Sequence, residues 1–112
     1  MVRVLLDEDL DVRLRQSFGA GVSAETVTHR GWNGKKNGDL LGLAESSFDV
    51  LLRADTNLRF QQNLSQYHIA IVVLRPRSKV LRHLAELIPL GEELLLDIRP
   101  GQAIEVHPPD AP

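Results

Sequence analysis

Four acids, Asp7, Glu8, Asp9 and Asp11, fall within five residues directly after the first apolar run. Two more stand where apolar stretches begin or end: Asp39 before Leu40-Leu41, and Asp55 after Leu51-Leu52-Arg53-Ala54. Carboxylates that converge repel one another, so either one keeps a proton or a divalent cation settles among them. Mg²⁺ and Mn²⁺ suit such a place, because they take oxygen ligands and keep several waters, so that two or three carboxylates suffice. A cation held this way polarises a phosphodiester, lowers the pKa of a bound water and steadies the leaving oxygen. Asp7, Asp39 and Asp55 are therefore the minimum parts of metal-dependent phosphodiester hydrolysis, with no serine, histidine or cysteine nucleophile required. The chain has no cysteine, which removes disulfides, thiolate zinc sites and cysteine nucleophiles. Its four histidines, His29, His68, His83 and His107, show no ligand spacing.

A net charge of −2 does not by itself point to a polyanionic partner, but the distribution of charge is uneven. Six of the thirteen basic residues lie in two short stretches, Arg30 with Lys35 and Lys36, and Arg75 with Arg77 and Lys79. An acidic centre flanked by such patches could hold a cation and a phosphate backbone together, or the patches are solvated surface. Trp32, in a Gly/Asn-rich basic loop, either stacks on a base or covers an edge of the core.

For these residues to meet, the chain must bring their elements together. Val2–Leu6 is short, β-branched and followed by acids, which predicts a strand. Leu10, Leu14 and Phe18 recur every four residues and predict a helix that the glycines at 19 and 21 stop. Ala24–Thr28 predicts a second strand, residues 29–38 a loop, and Asp39 the start of a short helix. Phe48–Ala54 predicts a third, central strand, and residues 57–64 a helical turn or two. Ile69–Leu74 is six apolar residues in a row, the strongest signal of a buried strand. From Ser78 the pattern is helical, broken or kinked at Pro89 and resumed over Leu90–Asp97. Pro100-Gly101 predicts a turn, Ala103–Val106 a last strand at an edge, and residues 107–112 a frayed tail. Alternating strands and helices imply one three-layer α/β/α domain over residues 1–106, with a mainly parallel sheet of four to five strands. Sites in such folds form outside the carboxyl ends of the strands, where Asp7, Asp39 and Asp55 would all lie.

The chain has 112 residues, 43 % hydrophobic and 25 % charged, which bounds it to one ordinary globular domain. No apolar run approaches the ~20 residues of a membrane span, and no signal-peptide pattern opens the chain, so a cytoplasmic protein is expected.

Three stretches resemble a known family. Leu5-Leu6-Asp7-Glu8-Asp9-Leu10 resembles the "LLDENL" opening of small bacterial PIN-like proteins of the toxin–antitoxin type. Asp39-Leu40-Leu41, followed by Leu43-Ala44, resembles their "D-x-x-(x)-L-x-x-A" helix start, and Leu51 to Leu58 resembles their "vLvTaDxDF" strand end. Order and spacing agree over nearly the whole chain. The resemblance implies a magnesium-dependent ribonuclease fold acting on RNA, a cognate antitoxin protein as partner, and a homodimer. Carried over by position, Asp7, Asp39 and Asp55 would be the metal-binding acids, with Glu8 as an addition. Apart from the resemblance, Arg53, Arg75, Arg77, Lys35 and Lys36 are by charge and position the candidate contacts to substrate phosphate. Two departures weaken the pattern: Arg53 stands where the family usually has threonine, and Asn57 where it often has a second acid. Arg53 could reach a phosphate, or pair with Asp55 and take the place of a cation.

Other readings stay open. Asp7, Asp39 and Asp55 also suit helix caps, and Asp9 and Asp11 suit caps or solvent. A receiver-like phospho-acceptor domain would also place acids after its first and third strands, but it leaves Asp39 without a role. A non-catalytic interaction module on the PIN-like fold is the third reading, supported by Arg53 and Asn57.

Overall fold

The computed structural model describes residues 1–35, 37–54 and 61–109. In chain order the strands are β1 (Val2–Leu6), β2 (Val22–Thr26), β3 (Val50–Arg53), β4 (Ala70–Leu74) and β5 (Ala103–Val106). The helices are α1 (Asn37–Ala44), α2 (Leu81–Ala85) and α3 (Ile88–Leu95), with 3₁₀ segments at Val12–Ser17 and Gln61–Gln66. All strand pairs are parallel and the order across the sheet is β2-β1-β3-β4-β5, with β3 central as its apolar sequence predicts.

The pleat sorts the apolar side chains onto two faces. Val4, Leu6, Val50, Leu52, Val72 and Leu74 pack with Leu10, Leu14, Leu84, Leu87, Ile88 and Leu95, beneath α2, α3 and the first 3₁₀ segment. Leu5, Leu51, Ile71 and Val73 pack with Leu40, Leu41, Ala44 and Leu64, beneath α1 and the second 3₁₀ segment. This is the expected three-layer α/β arrangement. β3 and β4 are buried along their whole length because both faces are covered.

Some element bounds differ from the sequence expectation, each for a local reason. The helix expected around Leu10, Leu14 and Phe18 is the tighter 3₁₀ segment, capped by Asp11, whose carboxylate accepts from the Arg13 amide. Of its residues only Leu14 is buried, so one apolar anchor suffices and the turn stays short. β2 ends at Thr26 rather than residue 28, because the chain turns there. The Thr26 hydroxyl accepts from His29 N, and the Trp32 amide bonds back to Val27 O. The helix expected from Ser78 is α2, and its continuation starts at Ile88, with Pro89 in the first turn of α3. Proline lacks a donor that the first turn does not use. In the tail Pro108 is buried, and residues 110–112 lie outside the described residues. No helix among the described residues is long and apolar enough to cross a membrane.

Candidate functional site

The register of β1 on β3 decides what stands at the carboxyl edge of the sheet. Leu5 faces Leu51 and Leu6 faces Leu52, so the next positions, Asp7 and Arg53, emerge side by side. The Asp7 amide extends the ladder by donating to Leu52 O at 2.9 Å. Side chains alternate along a strand, so both continue the row of Leu5 and Leu51, on the face that α1 covers.

There the Arg53 guanidinium meets the Asp7 carboxylate, with Nη2 3.0 Å from Oδ2. The two residues are 6 % and 7 % exposed, so the ion pair is screened from water on nearly every side. The second carboxylate oxygen, Oδ1, accepts from the Glu8 amide at 2.8 Å. Burial raises the Asp7 pKa above its ordinary value; the Arg53 charge and the Glu8 hydrogen bond pull it down but do not offset the loss of water.

The neighbouring acids are each engaged by backbone or by a local arginine. Glu8 Oε2 accepts from the Gly34 amide at 3.0 Å and so ties the β1 end to the loop before α1. Asp9 Oδ2 accepts from the Ala54 amide at 3.1 Å, fixing the chain as it leaves β3. Asp11 pairs with Arg13, with Oδ2 2.7 Å from Nη2, and the hydrogen bonds from Arg13 hold its pKa at about 2. Asp39 is exposed in the first turn of α1. Because α1 carries the chain from the carboxyl end of β2 back to the start of β3, that first turn lies at the same edge as Asp7. Asp55 and Asn57 lie outside the described residues, and so does Lys36.

Among the described residues no three His, Asp or Glu side chains converge in a way that would hold a metal ion. Asp7 is the acid at the centre of the edge, and the oxygen it would offer a cation is already on a guanidinium. Of the three expected ligands, Asp7 is held by Arg53, Asp39 is exposed at the start of α1, and Asp55 lies outside the described residues.

The basic residues divide. Arg75 donates from Nε and Nη2 to Glu105 Oε2 at 2.8 and 2.6 Å, and Arg77 Nε donates to Glu86 Oε1 at 3.0 Å, so both carry a carboxylate partner. Lys35 is exposed. Trp32 is half-buried against the α1-side core, edge-on to Phe48 with ring centroids 6.3 Å apart, and the Arg30 guanidinium lies over both rings. That is the core-covering arrangement.

At the ends of β3, β4 and β5, on the face that Ala54 and Leu74 share, lies an open cleft of about 360 Å³ whose walls include Ala54, Arg75, Ser78, Lys79 and His107. Lys79 Nζ reaches the Ala54 carbonyl at 3.5 Å, which holds the ammonium over the end of β3. Sequence reasoning places Lys79 in a basic stretch without singling it out, and gives His107 no role. The position of His107 depends on β5 lying beside β4, which no local pattern encodes. Comparison with protein-family models, with curated proteins and with solved structures finds no match to this chain.

Proposed function

We propose that this chain is a PIN-like domain that binds RNA through its phosphates without a resident cation, Arg53 having taken the cation's place beside Asp7. The observation that carries this reading is the buried Arg53–Asp7 pair, 3.0 Å apart, at the carboxyl edge of β1 and β3. A metal ion at the centre of an acidic edge neutralises carboxylates that would otherwise repel a phosphodiester. A guanidinium does the same neutralisation, but it has no open coordination position with which to activate water. Such an edge keeps its attraction for phosphate and loses the means to hydrolyse it. At the same carboxyl edge, on the face that Ala54 and Leu74 share, the cleft carries Lys79 on its wall, an ammonium of the kind that a phosphate backbone uses, while Arg75 and His107 there lie against Glu105.

Isothermal titration with Mn²⁺ tests the reading directly. The expected result is no saturable heat with the wild type and a measurable site in Arg53→Thr, which carries the residue usual in the resembled family. Fluorescence anisotropy with a single-stranded RNA should show binding that weakens as salt rises, and that weakens further in Lys79→Glu. Saturable Mn²⁺ binding by the wild type, lost in Asp7→Asn, would overturn the proposal.

A second reading is favoured by the placement of α1, whose first turn carries Asp39 to the same edge as Asp7. On that reading the chain is a metal-dependent RNA endonuclease of the toxin type, inhibited by a cognate antitoxin protein, and Arg53 must leave Asp7 before a cation enters. RNA cleavage that requires Mn²⁺ and disappears in Asp39→Asn would establish it.

A further inference from the structure

The two edges of the sheet are finished differently. Along β2 the outward-facing backbone groups are partly occupied: Val22 N donates to Gly19 O, Ala24 O accepts from the Arg15 guanidinium at 3.2 Å, and Thr26 O accepts from Arg30 N. Along β5 they are open. Gln102 O and Val106 O accept from Ile71 N and Arg75 N on β4, so the even-numbered residues face the sheet, and the amides and carbonyls of Ala103 and Glu105 point outward. None of those four groups has a partner among the described residues. An unpaired strand edge is a template for another strand unless something blunts it.

An apolar strip runs beside this edge. Gly91 of α3 passes over Val106, and Glu92, one residue on, accepts from Gly19 N at 3.1 Å on the side toward the middle of the sheet. The opposite flank of α3 therefore looks out past β5, and it carries Leu90 and Leu94. Leu94 is 41 % exposed, and Leu90 and Ile104 are partly buried against the core.

We propose that β5 pairs antiparallel with β5 of a second copy of this chain, about a two-fold axis through Ile104, to give a continuous ten-stranded sheet. The occupant follows from self-complementarity. With Ile104 opposite Ile104, Ala103 of one copy faces Glu105 of the other, and both pairs exchange their outward amides and carbonyls, so four open groups per copy become four interchain hydrogen bonds. The same register sets each Glu105 opposite a small alanine rather than a like charge, and it leaves the Glu105–Arg75 ion pair in place. It also brings the Ile104 side chains together at a non-hydrogen-bonded position, where cross-strand neighbours are closest, with Leu94 of each copy flanking them. Because β2 is partly blunted, a head-to-tail β5–β2 contact is disfavoured, and the assembly closes as a dimer rather than growing as a filament.

Sedimentation velocity over a hundredfold concentration range, combined with hydrogen exchange, tests this on the intact chain. The expected result is a reversible dimer in which the Ala103 and Glu105 amides become protected as the dimer forms. Ala103→Pro removes an outward donor, leaves the bonds to β4 intact, and should weaken association roughly tenfold or more. Ile104→Lys should do the same through the apolar contact, and serves should Ala103→Pro disturb the fold. A wild type that stays monomeric throughout overturns the proposal. So does a dimer in which the two amides exchange freely, or one that both folded variants leave intact.

Discussion

Replacing Arg53 by leucine leaves the Asp7 carboxylate almost wholly buried, at 7 % exposure, with its nearest cation gone. The Asp7 pKa is already raised by burial, and it then rises further because the charge that lowered it is absent. A raised folded-state pKa means that the folded protein holds the proton more tightly than the unfolded chain. Stability is therefore lost as pH rises through the raised value and regained as pH falls toward the ordinary value of 3.8. Arg53→Leu is thus expected to fall furthest below the wild type above the raised value, with the gap narrowing as pH falls toward 3.8 in urea denaturation. Asp7→Ala takes the carboxylate away from a buried guanidinium that cannot lose its proton, and should cost about 3 kcal/mol at pH 8. Repulsion among carboxylates, expected from the acidic run in the sequence, is not what governs Asp7; burial and the Arg53 charge outweigh it. What stands against Asp7 is an arginine.

Among the elements, the joint between β1 and β3 is held at both ends by carboxylates. At the carboxyl end are Asp7 and Asp9; at the other, Asp49 accepts from the Arg3 amide at 2.8 Å and from its guanidinium at 3.2 Å. Burial works to raise the Asp49 pKa, but the hydrogen bonds and charge of Arg3 together outweigh it and the pKa is lowered. Here the sign is opposite to that of Asp7. The stabilisation is complete above the unfolded value of about 3.8 and is lost as pH falls through the lowered one. Asp49→Asn should therefore cost about 0.5 kcal/mol at pH 7, small because the pair is half exposed and screened, and less at pH 2 as the pH falls through the lowered value. Parallel denaturation curves at the two pH values measure the difference.

For the whole molecule, a Cα radius of gyration of 12.9 Å matches the ~13 Å of a compact domain this long, so the two apolar layers belong to one body. Leu51 and Leu52 are neighbours in β3 that face opposite layers, at 1 % and 4 % exposure. Truncating either to alanine should cost about 3 kcal/mol. If the sheet couples the layers into one cooperative unit, each variant unfolds in a single transition with an unchanged denaturant slope, by fluorescence and by circular dichroism alike. Separate transitions would mean that the layers melt independently.

The class of fold and the place of its edge were legible in the residues, because burial on both faces demands unbroken apolar runs and those runs end at acids. Val2–Leu6 and Ile69–Leu74 show this most plainly, and Asp7 was correctly set at the end of a strand. Local pattern also marked Pro89 as a helix boundary and Ala103–Val106 as a last strand. What the residues did not carry is which strand lies beside which, and in what register. Arg53 reads from the sequence as able to meet a phosphate or Asp55, because the partner it does meet is 46 positions away and becomes a neighbour only when Leu6 faces Leu52. The open edge of β5 and the cleft under Lys79 and His107 are tertiary in the same sense. Hydrophobic periodicity is a property of a segment, whereas an ion pair across a sheet is a property of the packing that brings two segments together.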